Sequence, residues 1–396
     1  MRLFFILKNT YPKGMASTSR VHSYGKGFKN QGIDVHVLLP ISLEPHGSKQ
    51  INTHSEGVDE NGVHYKYMSG SSLRGNNIIK RQINDQYGYL HTLLYLLKHL
   101  KNDDQVIVYE GGWIWQLLCI FIVHLKGAKV AMELNELPYV FGQQTKKTIA
   151  KRQRLLKHVF PRYDQFIVIS DALQQVAQQY APKAKVIKVP IIVEDIIDSN
   201  KEETSPIYYP YILHTGTLTQ NKDGILGLLE AFGKACQQTD IPIQYLFTGY
   251  LEKSPQREYI QKLLVKYHIE DRVKFLGYLE MDELRRYQRH CSLCIINKFK
   301  TLQNKYCFST KLGEYLAFAR PVVMTNVGEA MNYLKDGENA YVIEPNDTDL
   351  MAEKILEVFS HPDQAAQIGK AGQELARNTF NCDVQAKRLI PFFQSA

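Results

Sequence analysis

The sequence has two tryptophans and six cysteines in 396 residues, and it lacks any apolar run of the roughly 20 residues that a membrane-spanning helix needs. Its longest oily stretch, Trp113 to Leu125, is broken by Gln116 and His124 and is expected to be a buried helix of a soluble domain. The cysteines stand at 119, 236, 291, 294, 307 and 382, mostly among apolar neighbours. Cys291 and Cys294 have a metal-like spacing, but no second pair follows at zinc-ribbon distance, so buried strand cysteines are expected and nothing asks for an oxidising compartment. No Gly-x-Gly-x-x-Gly follows a strand pattern, which disfavours a dinucleotide oxidoreductase. The apolar start, Met1 to Leu7, reaches Lys8 and Asn9 too soon for a signal segment and reads as a first strand, so a cytoplasmic location is expected.

Acidic residues are missing from one long segment. Between Glu136 and Asp164 stand Lys146, Lys147, Lys151, Arg152, Arg154, Lys157 and Arg162 with no Asp or Glu, within a chain of net charge +8. Two readings stand side by side: a solvated helix face, or a surface from Lys146 to Arg162 that meets an anionic membrane or an anionic acceptor. Nucleic acid is disfavoured, because no aromatic interleaving or binding motif accompanies the charge.

What is present is an alternation of short apolar runs with amphipathic stretches, the pattern of helices packed on parallel sheets. In the first half, strands are expected at 3–7, 34–39, 105–109, 129–133, 165–169 and 185–189, with helices over 17–31 and 171–180 and a hairpin around 63–68. A polar, turn-rich break at 196–210 reads as a linker. Alternation then restarts, with strands at 211–214, 243–248, 273–276, 292–296, 321–325 and 340–343. Helices are expected over 223–237, 254–267, 281–290, 311–318, 347–360 and 363–378. The expected architecture is α/β, with two Rossmann-like doubly wound domains, 1–195 and 211–382, facing each other across a cleft. The tail, 383–396, could cross back to the first domain. In such sheets ligands lie beyond the carboxyl ends of the strands.

The most informative stretch runs from Phe308-Ser309-Thr310-Lys311-Leu312-Gly313-Glu314-Tyr315-Leu316-Ala317 to Arg320-Pro321-Val322-Val323. Ser309 or Thr310 can cap a short helix that Pro321 helps to end. Free amides at such a helix start bind phosphate. Lys311 adds positive charge there, and Glu314, one turn in, can accept both hydroxyls of a ribose. By composition alone, a Glu that complements the helix dipole is the simpler explanation.

The stretch resembles the nucleotide-sugar motif of the glycosyltransferase family 4 / group 1 enzymes, which have the GT-B fold. Further segments resemble that family in its order: Gly216-Thr217-Leu218, Lys222-Asp223-Gly224, Leu229-Glu230-Ala231-Phe232, Phe247-Thr248-Gly249, Phe275-Leu276-Gly277-Tyr278 and Asp336-Gly337-Glu338-Asn339-Ala340. Phe166 to Ser170 and Val186 to Pro190 are similar to the end of the family's acceptor domain. The resemblance implies that Lys222 neutralises a donor diphosphate and Glu314 holds the ribose, the two candidate catalytic residues. It also implies that Gly14, Gly216, Thr217, Gly249, Tyr278 and the backbone amides of Lys311 and Leu312 line the nucleotide-sugar site.

Two departures stand out. Tyr306 occupies the place of the Glu that usually contacts the donor sugar, and Thr217 occupies that of an Arg that usually meets phosphate. Lys298, Lys300, Lys305 and Lys311 are the candidates to replace that cation. In the first half, Gly14 precedes a helix and lets backbone approach a ligand. Glu110, Glu133, Asn135 and Glu136 follow strand ends and are candidate acceptor contacts; the family's His is absent there.

The resemblance implies a retaining transferase that moves a hexose-type sugar from a nucleotide-diphosphate donor, UDP- or GDP-linked, to an acceptor hydroxyl. A lipid-linked acceptor in surface polysaccharide synthesis is expected. No Asp-x-Asp-type pair is read as a metal site, so the expected reaction is metal-independent with no cofactor. A nucleotide-sugar 2-epimerase of the same fold and a non-catalytic nucleotide-sugar sensor are the competing readings.

Overall fold

Strands such as Arg2–Ile6 and Leu293–Ile296 are almost continuously apolar because each is covered on both faces, as parallel strands must be. A computed structural model describes residues 1–45, 51–109, 111–140, 142, 144–196 and 204–395. The chain divides into two units, Met1–Glu194 with Asn381–Ala396, and Asp195–Phe380. Residues 197–203 of the expected linker lie outside the described residues.

The first unit runs β1 (Arg2–Ile6), α1 (Ala16–Asn30), β2 (Asp34–Leu39), β3 (Glu56–Val58), β4 (His64–Tyr67), α2 (Ile78–His99), β5 (Gln105–Val108), α3 (Trp113–Leu125), β6 (Lys129–Leu134), α4 (Lys146–His158), β7 (Gln165–Val168), α5 (Asp171–Tyr180) and β8 (Lys185–Lys188). Its strand order is β3-β4-β2-β1-β5-β6-β7-β8. All pairs are parallel except β3 with β4, where Glu56 faces Lys66 and Val58 faces His64. The order reverses between β1 and β5. The expected hairpin is therefore present, with β4 in the sheet beside β2.

The second unit runs β9 (Tyr211–His214), α6 (Gln220–Asp223), α7 (Ile225–Cys236), β10 (Gln244–Thr248), α8 (Arg257–Tyr267), β11 (Val273–Gly277), α9 (Met281–His290), β12 (Leu293–Ile296), α10 (Leu302–Tyr306), α11 (Thr310–Ala317), β13 (Val322–Thr325), β14 (Tyr341–Ile343), α12 (Thr348–Ser360) and α13 (Pro362–Leu375). The parallel sheet has the order β11-β10-β9-β12-β13-β14 and reverses between β9 and β12. Its core gathers Ile212, Phe232, Tyr245, Phe247, Ile295 and Ile355.

The chain ends in α14 (Cys382–Gln394), which packs on α1 of the first unit. Leu389 and Phe393 enter that unit's core, and the Phe393 ring lies 6.1 Å from Phe28. Asn30 Nδ2 donates to Asp383 Oδ1 at 2.9 Å. Each buried apolar side chain of this kind contributes about 1.5 to 3 kcal/mol.

Two local expectations are corrected. The helix expected over 223–237 is split at Gly224, which has φ +61 and forms the turn between α6 and α7. Asn297 Nδ2 donates to the Gly224 carbonyl at 3.0 Å and occupies the space a side chain would need. The helix over Trp113 to Leu125 is not buried all round: Trp115, Cys119, Ile120 and Val123 face the core, while Ile114, Leu118, Phe121 and Leu125 are exposed. No helix among the described residues is long and apolar enough to cross a membrane. As expected, Cys291 and Cys294 are fully buried free thiols, with sulfurs 3.4 Å apart.

Candidate functional site

The reversal between β9 and β12 is where a doubly wound sheet opens a crevice at its carboxyl edge. Three neighbouring strands end there in glycines of positive φ: Gly216 after β9, Gly249 after β10 and Gly277 at the end of β11, with φ of +132, +108 and +71. Gly216 N donates to Thr248 Oγ1 at 2.9 Å, and Gly249 N donates to the Gly277 carbonyl at 2.7 Å. Gly216 cannot be replaced cheaply. Besides its φ, a Cβ there would lie 2.6 Å from Lys311 Nζ and 3.4 Å from Asp223 Oδ2. Tyr278, next to Gly277, is exposed.

A residue that sequence reasoning passed over, Asp223, organises this edge. It ends the short helix α6 and is buried. Lys311 Nζ donates to its Oδ1 at 2.6 Å, Lys298 Nζ lies 3.4 Å from the same oxygen, and Thr217 Oγ1 donates to Oδ2 at 3.0 Å. Lys298 Nζ also donates to the Lys222 carbonyl at 2.5 Å, while the Lys222 side chain is exposed. Two ammonium groups thus share one carboxylate at this edge, and the Lys222 charge also acts on Lys311, a local excess of positive charge. The only hint in the sequence was an Asp squeezed between Lys222 and Gly224.

The electrostatics follow from burial. Burial opposes the charged Asp223 carboxylate, but Lys311, His214 and Lys298 outweigh it and bring its pKa down to about 2. Burial lowers Lys311 to about 8 against the pull of Asp223, with Lys298 and Lys222 pushing the same way as burial. Burial and the nearby Lys311 hold His214 neutral, with a pKa of about 3. Among the candidates to replace the cation missing at Thr217, geometry favours Lys298 and Lys311. Lys300 instead pairs with Glu344 at 3.0 Å, and Lys305 lies over the Tyr306 ring.

Helix α11 starts beside this cluster. Ser309 stands at its N-cap position but its side chain makes no capping bond, contrary to expectation. The Leu312 amide, expected to meet phosphate, instead donates to the Ser309 carbonyl at 3.1 Å, and Leu312 is fully buried. Lys311 does not project as a free charge, since Asp223 holds it. Glu314 is half-buried. Burial raises its pKa, opposed by Lys311 and by a hydrogen bond to the side chain of Gln288 on α9. Phe308 packs between Tyr333 and Phe380, in the core rather than at a ligand edge.

In the first unit, Gly14 lies in the exposed loop before α1, where a Cβ would overlap the hydroxyls of Thr18 and Thr10. Asn52 clamps this loop, accepting from the Lys13 amide at 2.8 Å and donating to the Lys13 carbonyl at 2.7 Å. Glu133 is a correction. It is a core residue within β6, and its Oε1 accepts from Arg20 Nε at 2.7 Å while Tyr24 donates to both oxygens. Arg20 also donates to the Val189 and Pro190 carbonyls, so this pair ties α1, β6 and the segment after β8 together. Asn135 and Glu136 are half-buried just past β6, and Asn135 Oδ1 is a buried acceptor without a protein donor. Glu110 lies outside the described residues.

Among the described residues, no group of three or more His, Cys, Asp or Glu could hold a metal ion. The triplet Asp347-Thr348-Asp349 serves the fold: Asp347 caps α12 through the Leu350 amide, and Asp349 pairs with Lys234 at 2.8 Å.

Residues 195–375, which contain this strand edge, match the family model described as glycosyl transferases group 1. The chain carries a group 1 glycosyltransferase domain. A glycosyltransferase domain is consistent with enzyme activity. An uncharacterized glycosyltransferase of Methanocaldococcus jannaschii is 22% identical over 340 residues, 80% of this chain and 92% of the relative. The fold is GT-B. Sucrose-phosphate synthase from Thermosynechococcus elongatus superposes with a TM-score of 0.73 at 15% identity, over 99% of this chain and 98% of that one. Anabaena HepE, solved in complex with UDP, has a TM-score of 0.67 at 14% identity with both chains fully covered. Thr217, which follows the first glycine of this domain, binds Asp223 through its hydroxyl.

Proposed function

We propose that this protein is a retaining glycosyltransferase that moves a hexose-type sugar from a nucleotide-diphosphate sugar to an acceptor hydroxyl, in the synthesis of a surface polysaccharide. The observation that carries this is the pairing of Lys298 and Lys311 with Asp223 at the β9/β12 edge of the group 1 domain, with the exposed Lys222 next to Asp223 in the chain. Cleavage of the sugar–phosphate bond leaves negative charge on the departing diphosphate. Preorganised cations in a partly dry setting stabilise that charge more than water would. Asp223 holds two of the lysines in place before substrate arrives, so little reorganisation accompanies the reaction. Glu314, one turn into α11, accepts the ribose hydroxyls, and the glycine-ended strands let the nucleotide approach backbone. The structures of HepE with UDP and with UDP-glucose support a UDP-linked donor over a GDP-linked one. Asn135 and Glu136 remain the acceptor-side residues of this reading, and the Gly14 loop reaches toward the donor phosphates. The acceptor is a lipid-linked sugar, reached by an enzyme that works at the cytoplasmic face of an anionic membrane through Lys146 to Arg162. No step in this reading uses a metal.

Calorimetric titration with a panel of nucleotide-sugars tests the site. Wild type binds one donor, while Lys222→Ala and Glu314→Ala each weaken it by about tenfold or more, the loss of one charge-assisted contact. Unchanged affinity in both variants refutes the assignment. Mass analysis of products with and without acceptor separates transfer from epimerisation.

A further inference from the structure

Helix α2 carries an apolar stripe on its solvent side. Ile79, Ile83, Tyr87, Leu90, Leu94 and Leu97 recur every three or four residues and so share one face. All six are exposed, from 38% at Leu97 to 68% at Ile79. The opposite face, with Gly88, Thr92 and Leu96, is the one that packs inward. The stripe is about 27 Å long at the α-helical rise. Helix α3 packs on α2, with the Tyr89 and Trp115 rings 4.5 Å apart, and repeats the pattern with Ile114, Leu118, Phe121 and Leu125. Ten large apolar side chains on two touching helices are not the scattered exposure normal for a soluble surface; contiguous patches of this kind mark a site of contact.

The border of the patch identifies what it meets. Arg154 of α4 stacks over the Trp113 ring at the start of α3, 5.5 Å from its centroid. Together α2, α3 and α4 hold nine Lys or Arg residues against a single acidic one, Asp85. Beside the C-terminal half of α3 an open cavity of ≈ 780 Å³ is lined by apolar Leu117, Ile120 and Phe121 together with Arg162, Lys183 and Lys185, with Asp164 as its one acidic residue. A second copy of the chain would bring the same positive excess to the contact. An anionic bilayer neutralises it, and an apolar helix face with basic flanks is the form that lies in the headgroup region.

We propose that the α2–α3 face is a bilayer-docking surface, its two apolar stripes entering the headgroup–acyl boundary of an anionic membrane while α4 binds the headgroups. This rests on the membrane reading of the basic helix and adds apolar insertion to it. The full chain is incubated with vesicles of phosphatidylcholine alone or mixed with phosphatidylglycerol, and binding is read by sedimentation and by tryptophan emission. Trp113 is the exposed one of the two tryptophans, so its emission reports entry into lipid. The expected result is binding to the mixed vesicles with a blue shift. Ile83→Ser/Leu90→Ser/Leu94→Ser should weaken binding by about tenfold or more and abolish the shift, through lost apolar transfer. The same variant keeps its melting temperature and its nucleotide-sugar affinity, which separates this surface from the donor site. Lys147→Ser/Lys151→Ser should weaken only the anionic, salt-sensitive part. Salt-sensitive binding with no blue shift and no effect of the serine variant overturns the insertion while leaving the basic-helix reading intact. No binding to either vesicle overturns both. A dimer in sedimentation velocity that the serine variant dissociates, without vesicle binding, shows that a second copy covers the face and likewise overturns the proposal.

Discussion

Replacing Asp223 by Asn keeps the shape of the side chain and removes the one negative charge that Lys298 and Lys311 share. The size of the effect follows from both ends of the pair. Lys311 falls from 10.5 to about 8 in the folded protein, which corresponds to about 3.4 kcal/mol. Without Asp223 it can fall further, but at pH 7 the amine escapes by losing its proton once the penalty reaches about 4.8 kcal/mol. The added cost through Lys311 is therefore about 1.4 kcal/mol. Seen from Asp223, the drop from 3.8 to about 2 corresponds to about 2.4 kcal/mol. The expected loss at pH 7 is about 1.5 to 2.5 kcal/mol, a fall in Tm of about 5 °C for a unit of this size. A carboxylate with a depressed pKa contributes its stability above the unfolded value and loses it as pH falls through the folded one. The difference between wild type and Asp223→Asn therefore closes as pH drops from about 4 to 2. Urea denaturation of wild type, Asp223→Asn, Lys311→Met and the double variant measures the coupling. Removing both charges should cost clearly less than the sum of the single changes, since the lone buried ammonium disappears. Additivity within about 0.5 kcal/mol refutes the pairing.

Three further outcomes are expected. Because Lys311 titrates at about 8, donor affinity measured by calorimetry should fall as pH rises through 8 in wild type, and Lys311→Met should remove that step. The same depressed ammonium makes folding stability rise between pH 8 and 10.5, where only the unfolded chain holds the proton. In the first unit, Arg20→Met leaves the Glu133 carboxylate buried without its partner and should cost about 3 to 5 kcal/mol in chemical denaturation. Burial already raises the pKa of Glu133, so the deficit should grow from pH 5 to pH 8 as the stranded carboxyl is forced to ionise. A deficit that shrinks with pH contradicts this account.

The order of β-strands and helices was legible in the sequence because strands covered on both faces must be runs of apolar residues. β2, β9, α5 and α9 lie where that pattern puts them. The stretch from Phe308 to Val323 was informative for a related reason: a short helix followed at once by a buried β-branched strand leaves little freedom in how the segment folds. Such signals are local, carried by neighbours a few positions apart.

Tertiary structure alone decided the charges and the exposed faces. Asp223 meets Lys298 and Lys311 across 75 and 88 residues, and Arg20 meets Glu133 across 113, distances over which no periodicity carries information. Glu133 fails as an acceptor contact because a buried carboxylate and a solvated one look alike until the partner arginine is placed. Gly224 ended a helix that periodicity would have continued, since the space for a side chain belongs to Asn297. The outward stripes of α2 and α3 were equally hidden. An apolar helix reads as core by composition, and only the packing of its opposite face shows which apolar residues are left facing out.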